Sequence, residues 1–125
     1  MTIAEVSRMF EISADTLRYY ERIGLLPAAS RTCGGIRDYG VKDLGWIAFI
    51  KCMRSAGLPT EALIEYVELF QQGDASTQAR LDILKEQRTL LKKRVLEMHA
   101  TLKRLYTKIE GYEDGLARAE KKLRT

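Results

Sequence analysis

Thr16, Arg18, Tyr19, Tyr20, Arg22, Arg31, Arg37 and Tyr39 interleave guanidinium groups with hydroxyl donors over a short stretch of chain. An arginine fork fits the edge of guanine or a phosphate, and Thr and Tyr hydroxyls donate to phosphate oxygens. At helical spacing Leu17 and Tyr20 turn inward, which leaves Thr16, Arg18, Tyr19 and Arg22 on the other faces of the same helix. The bland alternative is a solvated charged face with its tyrosines half in the core. Basic and tyrosine side chains gathered on two adjacent elements favour nucleic-acid contact instead.

Two short helices must hold the first group. Thr2 with Glu5 three residues on forms a capping box for a first helix carrying Ile3, Val6, Met9 and Phe10. Ser13 is a good N-cap for a second helix over about residues 14–23, which stops at Gly24 with Pro27 close behind. Two helices joined by so tight a turn make a helix-turn-helix. Residues 28–39 show no helical period, and Gly34-Gly35 between two short arms predicts a β-hairpin, a wing carrying Arg31, Arg37 and Tyr39. A third helix is expected from near Lys42 to Gly57, through Leu44, Ile47, Ile50 and Met53. A fourth follows Pro59, with Ala62, Leu63, Val67 and Phe70 as its inner face.

From Leu81 the apolar positions step by three and four over six heptads, with Arg88 as the one bad break. Leu84, Leu91, Val95, Met98, Leu102, Leu105 and Ile109 are the expected seam. One helix over residues 77–110 would span about 50 Å, too long to bury its stripe on a head of roughly 70 residues. Its own copy is the simplest partner, so a homodimer is expected. Gly111 and Gly115 suggest that the helix bends or ends near them. The fold class expected is therefore mainly α: a winged helix-turn-helix over residues 1–73, then a long coiled-coil dimerisation helix and short tail over 74–125, with no separate effector domain.

Bulk numbers decide less. In 125 residues the net charge is +4. Residues 1–57 hold 8 Lys/Arg against 6 Asp/Glu and the remainder 13 against 11, so each part carries +2 and placement must make the case. No long apolar run or charged-then-apolar leader is present, which reads as a cytoplasmic chain without a membrane span. The two cysteines, Cys33 and Cys52, are too few for a disulfide framework. No nucleophile–base pair, phosphate-binding glycine loop or cofactor motif is visible, so neither an enzyme nor a cofactor is expected. His99 is the sole histidine, and three scattered N/S ligands do not make a zinc site, so no metal is expected.

The stretches TIAEVSRMFEISADTLRYYERIGLLP, GGIRDY and DLGWIAFIKCMRSAGL, at these spacings, closely resemble the MerR family of transcription regulators over about residues 1–73. The resemblance implies a dimer whose two heads bind an inverted repeat at a promoter and distort its spacer, acting on RNA polymerase through the DNA. It implies Arg18 and Tyr19 as contacts from the recognition helix, Arg37 and Arg31 from the wing, and Tyr20 and Tyr39 as supports or backbone contacts. Ser13, Thr16 and Arg22 complete the expected DNA-facing set. FIKCMRSAGL further resembles the AdhR/NmlR branch, in which a cysteine at the position of Cys52 serves responses to aldehydes or other thiol-reactive electrophiles. Lys51 and Arg54 beside it would favour the thiolate. The alternatives are a cysteine that is merely structural, in a coiled-coil adaptor or a regulator without thiol sensing.

Overall fold

A computed structural model of the protein describes residues 1–124 and divides the chain into two compact units, the first Met1–Gln87 and the second beginning at Arg88. Four helices build most of the first unit: α1 (Ile3–Phe10), α2 (Ala14–Arg22), α3 (Val41–Ser55) and α4 (Thr60–Gln71). A 3-10 turn at Asp74–Ser76 then leads into α5 (Thr77–Arg124).

The helix ends follow the capping chemistry. Thr2 Oγ1 accepts the Glu5 N–H at 3.2 Å and Ser13 Oγ accepts the Thr16 N–H at 3.1 Å, each satisfying an amide that lacks an intrahelical partner. Helix α1 ends at Glu11 in the left-handed region (φ 56°), and the Lys51 ammonium donates to the carbonyl of Phe10 from α3. A cation at a helix C-terminus is favoured by both the orphan carbonyls and the dipole. The chain leaves α2 through Gly24 at φ +83°, a backbone that disfavours any side chain, while Leu25 and Leu26 N–H both return to the Tyr20 carbonyl. Gly40 and Pro59 cap α3 and α4 without a side-chain bond; at α3 the Asp43 carboxylate accepts the Gly40 N–H at 2.8 Å.

The core of this unit comprises Val6, Leu17, Leu25, Leu26, Ala29, Tyr39, Ile47, Ile50, Leu58, Leu63 and Val67. Every one of α1–α4 contributes, so the helix-turn-helix is held by shared burial rather than by its own turn. Two expected inner positions lie elsewhere. Met9 is half exposed, and Phe70 joins Trp46, Phe49 and Tyr66 in an aromatic cluster on the open side of α3 and α4. The Trp46 and Phe70 rings meet edge-on at 4.8 Å, and the Arg80 guanidinium lies over Phe70 at 5.4 Å.

The wing corrects the hairpin expectation. Among the described residues it holds no strand, only an isolated antiparallel bridge between Arg31 and Arg37. The Thr32 N–H donates to Ile36 O at 2.8 Å, Asp38 N–H to Ser30 O at 2.7 Å, and Gly35 N–H to Thr32 O at 2.9 Å. Arms this short close a turn with Gly35 at φ +80° but leave no room for a ladder.

Helix α5 runs unbroken through Gly111 and Gly115, against the expectation of a stop there. Each glycine costs about 1 kcal/mol relative to alanine, but neither removes a backbone donor as proline would. In the second unit Val95, Met98, Leu102, Leu105 and Ile109 are all exposed, an apolar stripe uncovered within the single chain. No described helix is long and apolar enough to cross a membrane.

Candidate nucleic-acid interface

Helix α2 presents its polar residues outward because Leu17, one turn in, is locked in the core. Arg18, Tyr19 and Arg22 are exposed, Tyr19 at 47 %, and Tyr20 is half-buried. The Arg22 guanidinium lies over the Tyr19 ring at 5.3 Å, and Arg18 NH1 is 3.0 Å from the carboxylate of Asp15 one turn earlier. These contacts orient the long side chains without removing them from solvent. Thr16 is partly buried, and the Ser13 hydroxyl donates to Thr16 Oγ1 at 2.8 Å, so Ser13 serves first as the helix cap.

The wing lies against this helix through charge. Arg37 Nε donates to Glu21 Oε2 at 2.9 Å, and Arg31 NH2 stands 3.9 Å from Glu21 Oε1. Arg31 also donates to the Gly35 carbonyl at 2.8 Å, closing the wing's own turn. Burial grades the three side chains: Glu21 is 14 % exposed, Arg37 25 % and Arg31 46 %. Tyr39, expected on the wing as a support or a backbone contact, is a core residue at 5 % exposure. It borders a small hollow with Leu17, Glu21, Ala29, Asp43 and Ile47, and exchanges backbone hydrogen bonds with Met1 at 2.8 and 2.9 Å. Burial raises its phenol above the ordinary value of 10.0; Arg37 opposes the shift, while Glu21 and Asp43 add to it.

Arg18, Tyr19, Arg22 and Arg31 thus combine exposed cations and hydroxyls on a helix and the wing tied to it. Such a surface offers donors to a polyanion, with a helix slim enough for a major groove. Glu21 was absent from the residues singled out by sequence. A carboxylate beside Tyr20 and Arg22 signals nothing until the wing is known to fold back on it.

Comparison with known proteins decides the lineage. Residues 2–39 match the MerR family regulatory proteins, and residues 44–107 match the MerR, DNA binding family. The chain belongs to the MerR family. It is a DNA-binding transcription regulator, a class without enzymatic activity. This MerR-family chain is 55 % identical over 91 residues to the HTH-type transcriptional regulator AdhR of Bacillus subtilis, a match covering 73 % of the chain and 65 % of AdhR. A MerR family regulator from Listeria monocytogenes superposes with a TM-score of 0.93 at 46 % identity, covering 99 % of this chain and 94 % of that one. HiNmlR, a MerR family regulator lacking the sensor domain and solved bound to promoter DNA, superposes with a TM-score of 0.84 at 30 % identity, covering 93 % and 92 %.

The two thiols occupy different elements of the first unit. Cys33 lies exposed in the wing turn. Cys52 lies on α3 with Ala48 and Ser55, and all three are exposed. The cations expected to attend Cys52 are engaged elsewhere: Lys51 with Phe10 O, and Arg54 NH1 with Leu58 O at 2.9 Å. No group of three His, Cys, Asp or Glu side chains suited to a metal occurs among the described residues.

Proposed function

We propose that this MerR-family regulator binds an inverted repeat in promoter duplex DNA as a homodimer, placing α2 of each head in a major groove with the wing on the flanking backbone. The observation that carries this is the joint exposure of Arg18, Tyr19 and Arg22 beside a wing fastened to the same helix. The promoter complex of HiNmlR, which shares the fold over nearly the whole chain, supports it. The second unit's apolar stripe supplies a surface for the partner copy, and the heads then act on RNA polymerase by deforming the DNA between them. All of this is a cytoplasmic activity.

The inducing signal in this reading is a small electrophile, an aldehyde or related thiol-reactive compound, captured by Cys52. Cys52 is exposed in the single chain, where a small electrophile could reach its thiol, and the likeness to AdhR supports the branch. Adduct formation on an uncovered face of α3 changes what that face can pack against, and so shifts the dimer between a DNA-holding and a DNA-distorting state. Lys51 and Arg54 contribute by fastening α3 to the end of α1 and to the turn that follows α3 rather than by attending the thiol. The test is transcription from the bound promoter with and without aldehyde. Wild type responds and Cys52→Ala does not; an undiminished response in Cys52→Ala removes Cys52 as the sensor.

A further inference from the structure

Arg31 and Arg37 are direct partners across the wing's isolated bridge. Two like charges placed opposite each other repel and would open so short a ribbon. Here a single carboxylate from α2 answers both: Glu21 Oε2 meets Arg37 at 2.9 Å and Oε1 faces Arg31 at 3.9 Å. Glu21 stands one helical turn from Arg18 and beside Arg22, yet it points the other way, into the hollow walled by Leu17 and Tyr39.

We propose that Glu21 is the positioning residue of the DNA interface: it neutralises the wing's arginine pair and sets the angle between wing and recognition helix, so that sequence-specific binding depends on a negative charge inside a basic surface. This rests on the reading of α2 and the wing as the DNA face. Arg37, mostly buried and bonded through Nε, stays with Glu21 and keeps its terminal nitrogens as donors. Arg31, half exposed, keeps one terminal nitrogen on the Gly35 carbonyl and offers the other, 3.9 Å from Glu21, to a phosphate. Glu21 itself touches no DNA.

This arrangement separates two quantities that a direct contact would move together. Removing the Glu21 charge lowers repulsion towards phosphates, so binding to unrelated duplex strengthens or holds. The same change frees the wing, so binding to the inverted repeat weakens. A residue that only stabilised the fold would weaken both.

The experiment measures affinity by fluorescence anisotropy for two duplexes, an inverted repeat selected by the wild-type protein from a random pool and a scrambled duplex of equal length. Glu21→Gln and Arg37→Gln are each expected to cut the ratio of the two affinities about tenfold or more, with scrambled-duplex binding by Glu21→Gln at or above wild type. The double variant should be no worse than the poorer single one, because both remove the same link. Amide exchange at Thr32 and Asp38, whose N–H groups hold the wing, should accelerate in each. An unchanged ratio in Glu21→Gln, or additive losses in the double variant, overturns the proposal. Should Glu21→Gln fail to fold by circular dichroism, Arg37→Gln cuts the same link from the wing side; an unchanged ratio there overturns the proposal equally. Arg18→Ala is the control: if it also binds both duplexes as wild type does, the DNA face itself is misassigned, whereas its loss of binding beside an intact Glu21→Gln refutes only the role of Glu21.

Discussion

Removing Leu102 and Leu105 should dissolve the proposed dimer while leaving the head folded. In the single chain these side chains are 46 % and 54 % exposed, about half of each still available for burial against another helix. Fully burying a leucine is worth about 1.5–3 kcal/mol, so the second half contributes roughly 1 kcal/mol per side chain. A symmetric dimer contains each position twice. Leu102→Ala alone then costs about 2 kcal/mol, and the pair Leu102→Ala/Leu105→Ala about 4 kcal/mol, or close to a thousandfold in dimer dissociation constant at about 1.4 kcal/mol per tenfold. Alanine's slightly better helix propensity returns only a few tenths of a kcal/mol per site. Sedimentation equilibrium over several decades of concentration measures the constant directly. Lys103→Ala is the control, an exposed neighbour outside the expected seam. The emission of Trp46, the sole tryptophan, follows folding of the head in the same samples. A double variant that dimerises as tightly as wild type refutes the seam, and so does a wild-type chain that stays monomeric across the series.

Two further outcomes follow from the interface. Arg31→Ala should reduce the slope of log affinity against log salt by about one phosphate contact, roughly 0.9, and to a similar extent on specific and scrambled DNA; an unchanged slope would place Arg31 off the backbone. Tyr39→Phe should flatten the alkaline stability profile. Burial raises the folded-state phenol above 10.0, so the neutral ring's contribution is complete below that value and is lost as pH climbs through the raised one. Thermal melts on either side of that window should show wild type losing stability more steeply than Tyr39→Phe, and parallel losses would mean the ring is not buried in solution.

Much of the head could be read from residue chemistry. Thr2 and Ser13 announce helix starts because a hydroxyl that satisfies a free amide does so locally, and both caps are present. Gly24 announces the end of α2 by the same local logic. The wing was less legible, since the glycine pair fixes a turn but not how much ladder the arms can form; here a single bridge is all that Arg31 and Arg37 make. Phe70 shows the weakness of periodicity on a helix with two apolar faces: it fits the inner stripe of α4 by spacing, yet packs with Trp46 on the outside. Tyr39 was legible only as a support or a backbone contact, and its burial in the core favours the support. Gly111 and Gly115 do not stop α5, because a long helix with good formers on both sides absorbs them. Glu21 could not be found at all, its role existing only once residues sixteen apart in sequence are brought together.

Those pairings also explain why net charge was so poor a guide. Three of the four arginines on this face already face an acid, Arg18 with Asp15 and Arg31 and Arg37 with Glu21, and the fourth, Arg22, lies on Tyr19. At those three, DNA must therefore exchange partners rather than find bare cations. The exchange is cheap where the pair is exposed: Asp15 is 97 % accessible, and such an ion pair is worth about 0–1 kcal/mol, so a phosphate displaces it readily. It is dearer at Arg37, where both groups are mostly enclosed and stripping the guanidinium away would leave the Glu21 carboxylate buried without its closest partner. The gradation sorts the arginines by task. In the proposed interface Arg18 and Arg31 would change hands and carry contact, whereas Arg37 and Glu21 would stay paired and carry geometry, as a regulator needs if it is to bend DNA rather than merely adhere to it.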